Sequence, residues 1–160
     1  MRTTLAVLGA TFGCLFLGCG YTVGFSTPPG VETIAVDVVT NASYRQRLER
    51  DLTRAILEEI GEYSSLRRAP RDRADAILEV EILAVRNTAM VIGLTTPVGE
   101  GSIDTIAHIR LIERRTGAVL VDRRLRDIAE YRTLIGEDES SARAEMVSDL
   151  GRAIVLALEG

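Results

Sequence analysis

The sequence predicts an α+β fold, a two-layer sandwich in which two helices pack on one face of a four-stranded mixed sheet. Four segments alternate apolar and polar residues with the period of a strand, and two others repeat apolar residues at helical spacing. Along the chain these segments follow the order β-α-β-β-β-α. Two amphipathic helices can cover only one face of such a sheet, so the other face stays open. A chain of 160 residues has the length of one domain.

The first strand is predicted over Val31–Val39 and the first helix over Tyr44–Ile60. Residues Thr40–Ser43 supply side-chain oxygens that can cap this helix, and Gly61 is expected to end it. The apolar positions are Ile34, Val36 and Val38 in the strand and Leu48, Leu52, Ala55, Ile56 and Ile60 in the helix.

Three further strands are predicted over Ala76–Arg86, Ile103–Glu113 and Ala118–Ile128. The polar stretch Ser64–Asp75 precedes them and has room for one brief edge segment. In the last strand the alternation slips near Asp122–Arg124, which predicts a bulge there. The expected inward positions are Ala76, Leu78, Val80, Ile82 and Ala84, then Ile103, Thr105, Ala107, Ile109 and Leu111; the last strand has the apolar residues Val119, Val121 and Leu125.

Two connections are predicted as loops, Asn87–Gly101 and Glu130–Glu139. The first is long for a hairpin connection, and long loops in compact domains are commonly functional. Residues Glu137–Ser140 give the last helix an acidic start that suits its dipole, and this helix is expected to end near Leu158. Its apolar stripe contains Met146, Val147, Leu150, Ile154, Ala157 and Leu158.

The N-terminus has the pattern of a secretory signal. Arg2 precedes an apolar run over Leu5–Leu17, which is shorter than the roughly 20 residues needed to cross a bilayer. The small residue Gly18 then leads to Cys19, and this exit resembles the lipobox of bacterial lipoproteins. The resemblance implies a signal peptide over residues 1–18, lipid attachment at Cys19, and a tether over residues 19–30 before a single domain over 31–160. The competing interpretation is a core helix with a buried Cys19 thiol.

The open face of the predicted sheet mixes apolar and charged side chains. It holds more large apolar groups than free solvent exposure usually leaves, so we expect another element or a partner to cover them. The residues expected on this face are Ile77, Glu79, Glu81, Leu83, Val85, Ile106, His108, Arg110 and Ile112.

Composition and motifs argue against several functional classes. A net charge of −4 is unlike that of a general nucleic-acid binder, which carries a basic excess. His108 is the single histidine, and the sequence has no nucleophile elbow, phosphate-binding loop or paired metal-ligand motif. We therefore predict that the protein is not an enzyme and has no catalytic residue, metal site or cofactor.

Several short stretches, in order along the chain, together resemble the lipopolysaccharide-assembly lipoprotein (LptE) family. They are Cys19-Gly20-Tyr21, Thr33-Ile34-Ala35-Val36, Asn41-Ala42-Ser43-Tyr44, Leu48-Glu49, Leu52-Thr53, Ala74-Asp75-Ala76, Leu111-Ile112-Glu113 and Thr116-Gly117. The resemblance implies a lipoprotein on the periplasmic side of the outer membrane. Such proteins plug and help assemble the β-barrel translocon LptD, which exports lipopolysaccharide. Glycine rather than aspartate after Cys19 implies outer-membrane sorting.

Candidate contact residues for the barrel partner or lipopolysaccharide come from this sequence and not from a family motif. All 19 basic residues are arginine, whose forked guanidinium suits phosphate and carboxylate groups. The candidates are Arg86, His108, Arg110, Arg114 and Arg115.

Two other functions fit parts of the same sequence. Val31–Val39 and the following helix also resemble domains of lipoproteins that regulate a peptidoglycan synthase by protein–protein contact. A lipid-anchored hydrolase would need Glu79, Glu81 and His108 to meet in one pocket with strongly perturbed pKa values.

Overall fold

The structure is a computed structural model that describes residues 27–43, 47–92, 98–132 and 136–159. The predicted signal peptide, the lipidation site Cys19 and most of the predicted tether lie outside the described residues. Within the described ranges, no helix has both the length and the apolar character that a membrane span requires.

Eight elements follow one another along the described chain. The strands are β1 (Thr33–Val36), β2 (Thr40–Asn41), β3 (Arg67–Arg68), β4 (Ala76–Ile92), β5 (Val98–Glu113) and β6 (Val119–Arg132), and the helices are α1 (Leu48–Tyr63) and α2 (Glu139–Leu156).

One mixed sheet contains all the strands. Its order is β3-β1-β4-β5-β6; β1 runs parallel to both β3 and β4, and β2 adds a short parallel pairing to β4. Strands β4, β5 and β6 form an antiparallel meander. The α+β class and the mixed sheet are confirmed. The predicted count of four strands is wrong, because the two-residue strands β2 and β3 also pair; β3 is the brief edge segment expected within Ser64–Asp75.

The helices and one face of the sheet enclose a single main hydrophobic core. The expected inward residues of β5 and the expected stripe of α2 are all buried in it. The two helices approach closely at Gly151, where an added Cβ would lie 3.0 Å from the Ala55 Cβ. Side chains of this core that are fully buried include Ile34, Leu48, Leu52, Ile56, Leu78, Ile82, Ile109, Leu111 and Leu150.

A bulge in β4 inverts the predicted face assignment beyond it. The register with β5 shifts between Ile82 and Ala84, which leaves Leu83 as an extra residue. Val85 consequently packs against the core, whereas Ala84 lies on the opposite face, the reverse of the prediction. Simple alternation could not reveal this shift, because residues 82–85 are all apolar.

The second irregularity lies at Leu120 and not at the predicted Asp122–Arg124. The β5–β6 register skips Leu120 between Val119 and Val121, and it is continuous from Val121 to Arg132. Arg123 therefore lies on the helix side of the sheet although it is exposed. A charged residue at this inward position interrupts the alternation, and for this reason the bulge was predicted at the wrong residues.

Much of the first predicted loop and the start of the second are strand. β4 continues to Ile92 and β5 begins at Val98, so most of Asn87–Gly101 forms the two arms of a long hairpin. β6 likewise continues to Arg132. Pairing between neighbouring arms satisfies the backbone hydrogen-bonding groups, and this long-range gain outweighs the local turn character of the glycines and threonines.

The chain between β1 and α1 also differs from the prediction. β1 ends at Val36, and Val38, which was predicted to share one apolar strand face with Ile34 and Val36, is 70% exposed. The Asn41 side chain accepts hydrogen bonds from the Ser43 N–H (2.9 Å) and hydroxyl (2.6 Å) and donates to Glu49 (3.2 Å). These polar side chains thus shape the approach to α1 and do not cap it.

The helix ends show one wrong and one confirmed prediction. Gly61 lies inside α1, which continues to Tyr63, where the ring packs 5.1 Å from the Arg152 guanidinium carbon. α2 begins with the expected acidic turn, since the Asp138 carboxylate accepts a hydrogen bond from the Ser141 N–H in a capping box.

A carboxylate joins the starts of β1 and β4. Asp75 Oδ2 accepts hydrogen bonds from the Thr33 hydroxyl (2.7 Å), the Thr33 N–H (2.8 Å) and the Glu32 N–H (3.1 Å). These bonds, first that of the Thr33 hydroxyl, lower the pKa of Asp75. The Ala74-Asp75-Ala76 stretch is therefore structural: the aspartate fixes the strand ends and both alanines are buried.

Candidate functional site

The candidate site is the sheet face that points away from the helices, here called the open face. Its side chains alternate with the core side chains along β4, β5 and β6, and the expected outward positions of β5 are confirmed. Most of them are half-buried or exposed. The residues of the open face are Glu79, Glu81, Ala84, Arg86, Asp104, Ile106, His108, Arg110, Ile112, Asp122, Arg124, Arg126 and Ile128.

Within the described ranges, one end of the outward side of the sheet is covered by the chain's own residues. Ala35 and Ile77 are buried there under Ala74, with Ala69 packed beside them, in a cluster separate from the main core. Ile77, predicted on the open face, is therefore only 7% exposed. Farther along, Ile128 is 50% exposed, so the described residues leave much of the apolar surface of this face in contact with solvent.

A depression of about 510 Å³ lies on the open face beside the segment between β1 and β2. Asp37, Val38 and Thr40 form one wall, and the outward side chains of β4 and β5 form the floor. The floor is polar and is lined by Glu79, Glu81, His108 and Arg110. Such a lining can hold a polar or charged group of a partner molecule.

Cross-strand contacts between polar side chains hold the floor: one is an ion pair and the other joins a histidine to a carboxylate. Arg110 Nη2 donates to Glu79 Oε2 at 2.6 Å, and His108 Nε2 lies 2.8 Å from Asp122 Oδ1. Partly exposed pairs of this kind contribute at most about 1 kcal/mol to stability. Their main effect is to fix where positive and negative groups stand on the surface.

A second charged group lies farther along the same face. The Arg126 guanidinium forks onto Asp104, with its Nε 2.8 Å from Oδ1 and its Nη2 2.9 Å from Oδ2. Arg86 stands directly opposite Asp104 on β4. The hydrogen bonds from Arg126, together with the charges of Arg126 and Arg86, lower the pKa of Asp104.

The predicted contact residues do not all come together. Arg86, His108 and Arg110 share the open face, but Arg86 is opposite a residue six positions from Arg110, roughly 20 Å away along the strand. Arg114 and Arg115 follow β5 at the other end of the sheet. Arg114 Nε donates to the Ala74 carbonyl at 2.6 Å, and the Arg115 side chain is 81% exposed. Cys19 lies outside the described residues.

The depression is lined by Glu79, Glu81 and His108, the three residues of the hydrolase hypothesis, but two of them pair with other side chains. Glu79 is bound to Arg110 and His108 to Asp122, so neither is set against a nucleophile. Among the described residues, no group of three or more His, Cys, Asp or Glu side chains is arranged to hold a metal ion. The geometry fits a binding surface with a fixed pattern of charge.

Sequence reasoning missed the acidic partners Asp104 and Asp122, and it missed Asp37, which forms an ion pair with Arg71 at the edge of the depression. The strand pattern predicted only that Asp104 points away from the helices, and it did not predict a partner for it. The pairing of each aspartate depends on strand order and register, which are long-range properties of the fold.

Comparisons with solved structures place the fold among small bacterial proteins. The hypothetical protein CT253 from Chlamydia trachomatis superposes with a TM-score of 0.59 at 14% identity, over 78% of this chain and 94% of that one. A minor lipoprotein from Acinetobacter baumannii gives 0.51 at 13%, over 78% and 90%. The PelC dodecamer from Paraburkholderia phytofirmans gives 0.51 at 16%, over 82% and 93%. At these identities the likeness concerns the fold alone.

A search of curated proteins gave no match. The sequence profile of the lipopolysaccharide-assembly (LptE) family, in contrast, matches residues 31–158. This range runs from the residues just before β1 to those just after α2, so it contains every element of the sheet and both helices. The chain therefore belongs to the LptE family of lipopolysaccharide-assembly proteins.

Proposed function

We propose that this chain is a non-catalytic lipoprotein, anchored through Cys19 to the periplasmic side of the outer membrane, that plugs and helps assemble the LptD β-barrel for lipopolysaccharide export. The observation that carries the proposal is the family match over residues 31–158. The signal pattern before Cys19 and the partly uncovered open face support it.

The open face is the surface that we assign to the barrel. It presents half-buried apolar side chains such as Ile106 and Ile112 between ordered charges, whereas the other face of the sheet is covered by the helices. Its arginines, with Arg114 and Arg115 at the sheet end, provide forked donors for carboxylates of the barrel or phosphates of lipopolysaccharide. An interface of this type needs no catalytic group.

Affinity purification of the full chain from detergent-solubilised envelopes tests the proposal. A large outer-membrane β-barrel protein should co-purify, and Arg110→Glu should reduce its recovery because the reversed charge removes the Glu79 pair from the interface. Arg54→Glu is the matched control, since this exposed arginine lies on α1. Recovery of a penicillin-binding protein instead would support the peptidoglycan-synthase alternative, and absence of any barrel would contradict the proposal.

The anchor has its own test. Cys19→Ala should leave an uncleaved precursor, and mass spectrometry of the wild-type N-terminus should find acyl chains on residue 19. Two or more chains make such anchoring stable, whereas one chain is marginal. An unacylated mature N-terminus would contradict this part of the proposal.

A further inference from the structure

The free edge of β6 is a second candidate interaction surface. β6 is the terminal strand of the sheet, it is 14 residues long, and among the described residues only β5 pairs with it. A long strand edge presents unpaired backbone N–H and C=O groups that can pair with another strand. Val119 (52% exposed), Leu120 (38%) and Ile128 (50%) lie along this strand.

Two charged side chains on the helix side of β6 have no ion-pair partner within the part of the chain that the structure describes. They are Arg123, which stands opposite Ile109, and Asp127, which stands opposite Thr105. Because four residues of a strand span roughly 13 Å, these two side chains cannot reach each other within one chain. Asp127 moreover faces like charges from α2, Glu145 and Asp149, which raise its pKa together with burial, the largest cause.

We propose that β6 pairs with β6 of a second copy of this chain, antiparallel and about a two-fold axis at Leu125. In this register Arg123 of each copy stands directly opposite Asp127 of the other. The two-fold axis therefore creates two equivalent Arg123–Asp127 ion pairs. Val121 meets Ala129, and Leu125 meets itself on the axis. Directly opposed side chains of antiparallel strands have Cβ atoms about 5 Å apart, close enough for these contacts.

Neighbouring registers are less favourable. A shift of two residues in one direction places Arg124 opposite itself, and a shift in the other direction places Arg126 opposite itself; both leave Arg123 without Asp127. In the proposed register Arg124 faces Arg126 of the second copy. The charge of Arg126 is already compensated by the fork onto Asp104. The pairing concerns the chain outside the barrel, because a barrel that encloses the chain leaves no strand edge free. Its tests measure self-association and not barrel recovery, so their outcome is separate from that of the proposed function.

Disulfide trapping in membranes tests both the contact and its register. Under a mild oxidant, Leu125→Cys in the full chain should give a covalent dimer well above the parent chain, because residue 125 meets its own copy. Val121→Cys and Ala129→Cys should not do so alone, but the two variants expressed together should form a mixed dimer. No dimer from Leu125→Cys, or equal dimer from all single variants, would overturn the proposal.

Charge exchange gives an independent readout that does not need cysteine chemistry. Arg123→Glu should weaken self-association of the detergent-extracted chain by about tenfold, measured by sedimentation, because two attractive cross-strand pairs become repulsive. The double variant Arg123→Asp with Asp127→Arg should restore it. Arg124→Glu is the matched control and should not weaken association, since it faces Arg126. Equal losses for Arg123→Glu and Arg124→Glu, or a monomeric parent chain at every concentration, would overturn the proposal.

Discussion

Asp104 and Asp127 lie on neighbouring strands but on opposite faces of the sheet, and their carboxyl pKa values move in opposite directions. On the open face, hydrogen bonds from Arg126 lower the pKa of Asp104. On the helix side, burial raises the pKa of Asp127, and the α2 carboxylates of Asp149 and Glu145 add to the effect. Charged Asp104 on the open face is thus stabilised by a cross-strand partner. On the helix side, burial and neighbouring carboxylates disfavour the ionised form of Asp127.

The largest expected difference between the two faces concerns apolar truncation. Ile109→Ala, at a fully buried position of the core, should cost about 2–5 kcal/mol of unfolding free energy. Ile106→Ala, on the half-buried open side of the same strand, should cost only about 1 kcal/mol. Denaturant unfolding of both variants measures the contrast. Equal losses would show that the open face is packed as tightly as the core.

Acid titration should reveal the next difference. The folded pKa of Asp104 is below its unfolded value, so this group stabilises the fold above the unfolded pKa, ordinarily 3.8, and the contribution is lost as pH falls through the folded pKa. Asp104→Asn should therefore be less stable than the parent chain at neutral pH and lose less stability in acid. Parallel stability–pH curves for the two proteins, from thermal unfolding, would contradict this account.

Asp127 should show the opposite sign. Its folded pKa is above the unfolded value, so its stabilising contribution is complete below pH 3.8 and is lost as pH rises through the folded pKa. Asp127→Asn should consequently be more stable than the parent chain at neutral pH and equal to it in strong acid. The comparison belongs at concentrations where both proteins are monomeric. A loss of stability at neutral pH would show that Asp127 has a favourable partner within the chain.

The smallest effect on stability is expected at the Arg110–Glu79 pair. Glu79→Gln should change the unfolding free energy by about 1 kcal/mol or less, because the pair is partly exposed. Recovery of the proposed β-barrel partner should nevertheless fall, since Glu79 orients Arg110. Comparing unfolding with co-purification therefore separates the proposed role of the open face in binding from any role in folding.

The sequence predicted the two faces of β5 well because its alternation is regular from Ile103 to Glu113. The arms of the β4–β5 hairpin were missed, since their pairing comes from distant residues and not from local propensity. The prediction that the first helix ends at Gly61 was wrong for a similar reason. Burial of Ile60 and the contact between Tyr63 and Arg152 stabilise α1 beyond a residue type that commonly ends helices.

The candidate site was predictable in composition but not in arrangement. The outward phase of Glu79, His108 and Arg110 followed from the strand pattern. Which residues pair could not follow, because Asp122 and Arg126 reach their partners only once β6 lies beside β5 in the observed register. The pairing of the open-face aspartates therefore becomes apparent only from the three-dimensional fold.

The extra residue Leu83 has a consequence for how such chains can change in length. Between Leu83 and the hairpin tip, Arg86 lies on the open face and Val85 packs against the main core. Deleting that single leucine should leave Ala84, Val85 and Arg86 on their present faces, because Ile82 and Ala84 already pair with the consecutive residues Ala107 and Ile106 of β5. The loss of one residue is thus tolerable at the bulge, whereas the same loss in a regular stretch of β4 would move every side chain beyond it to the other face of the sheet.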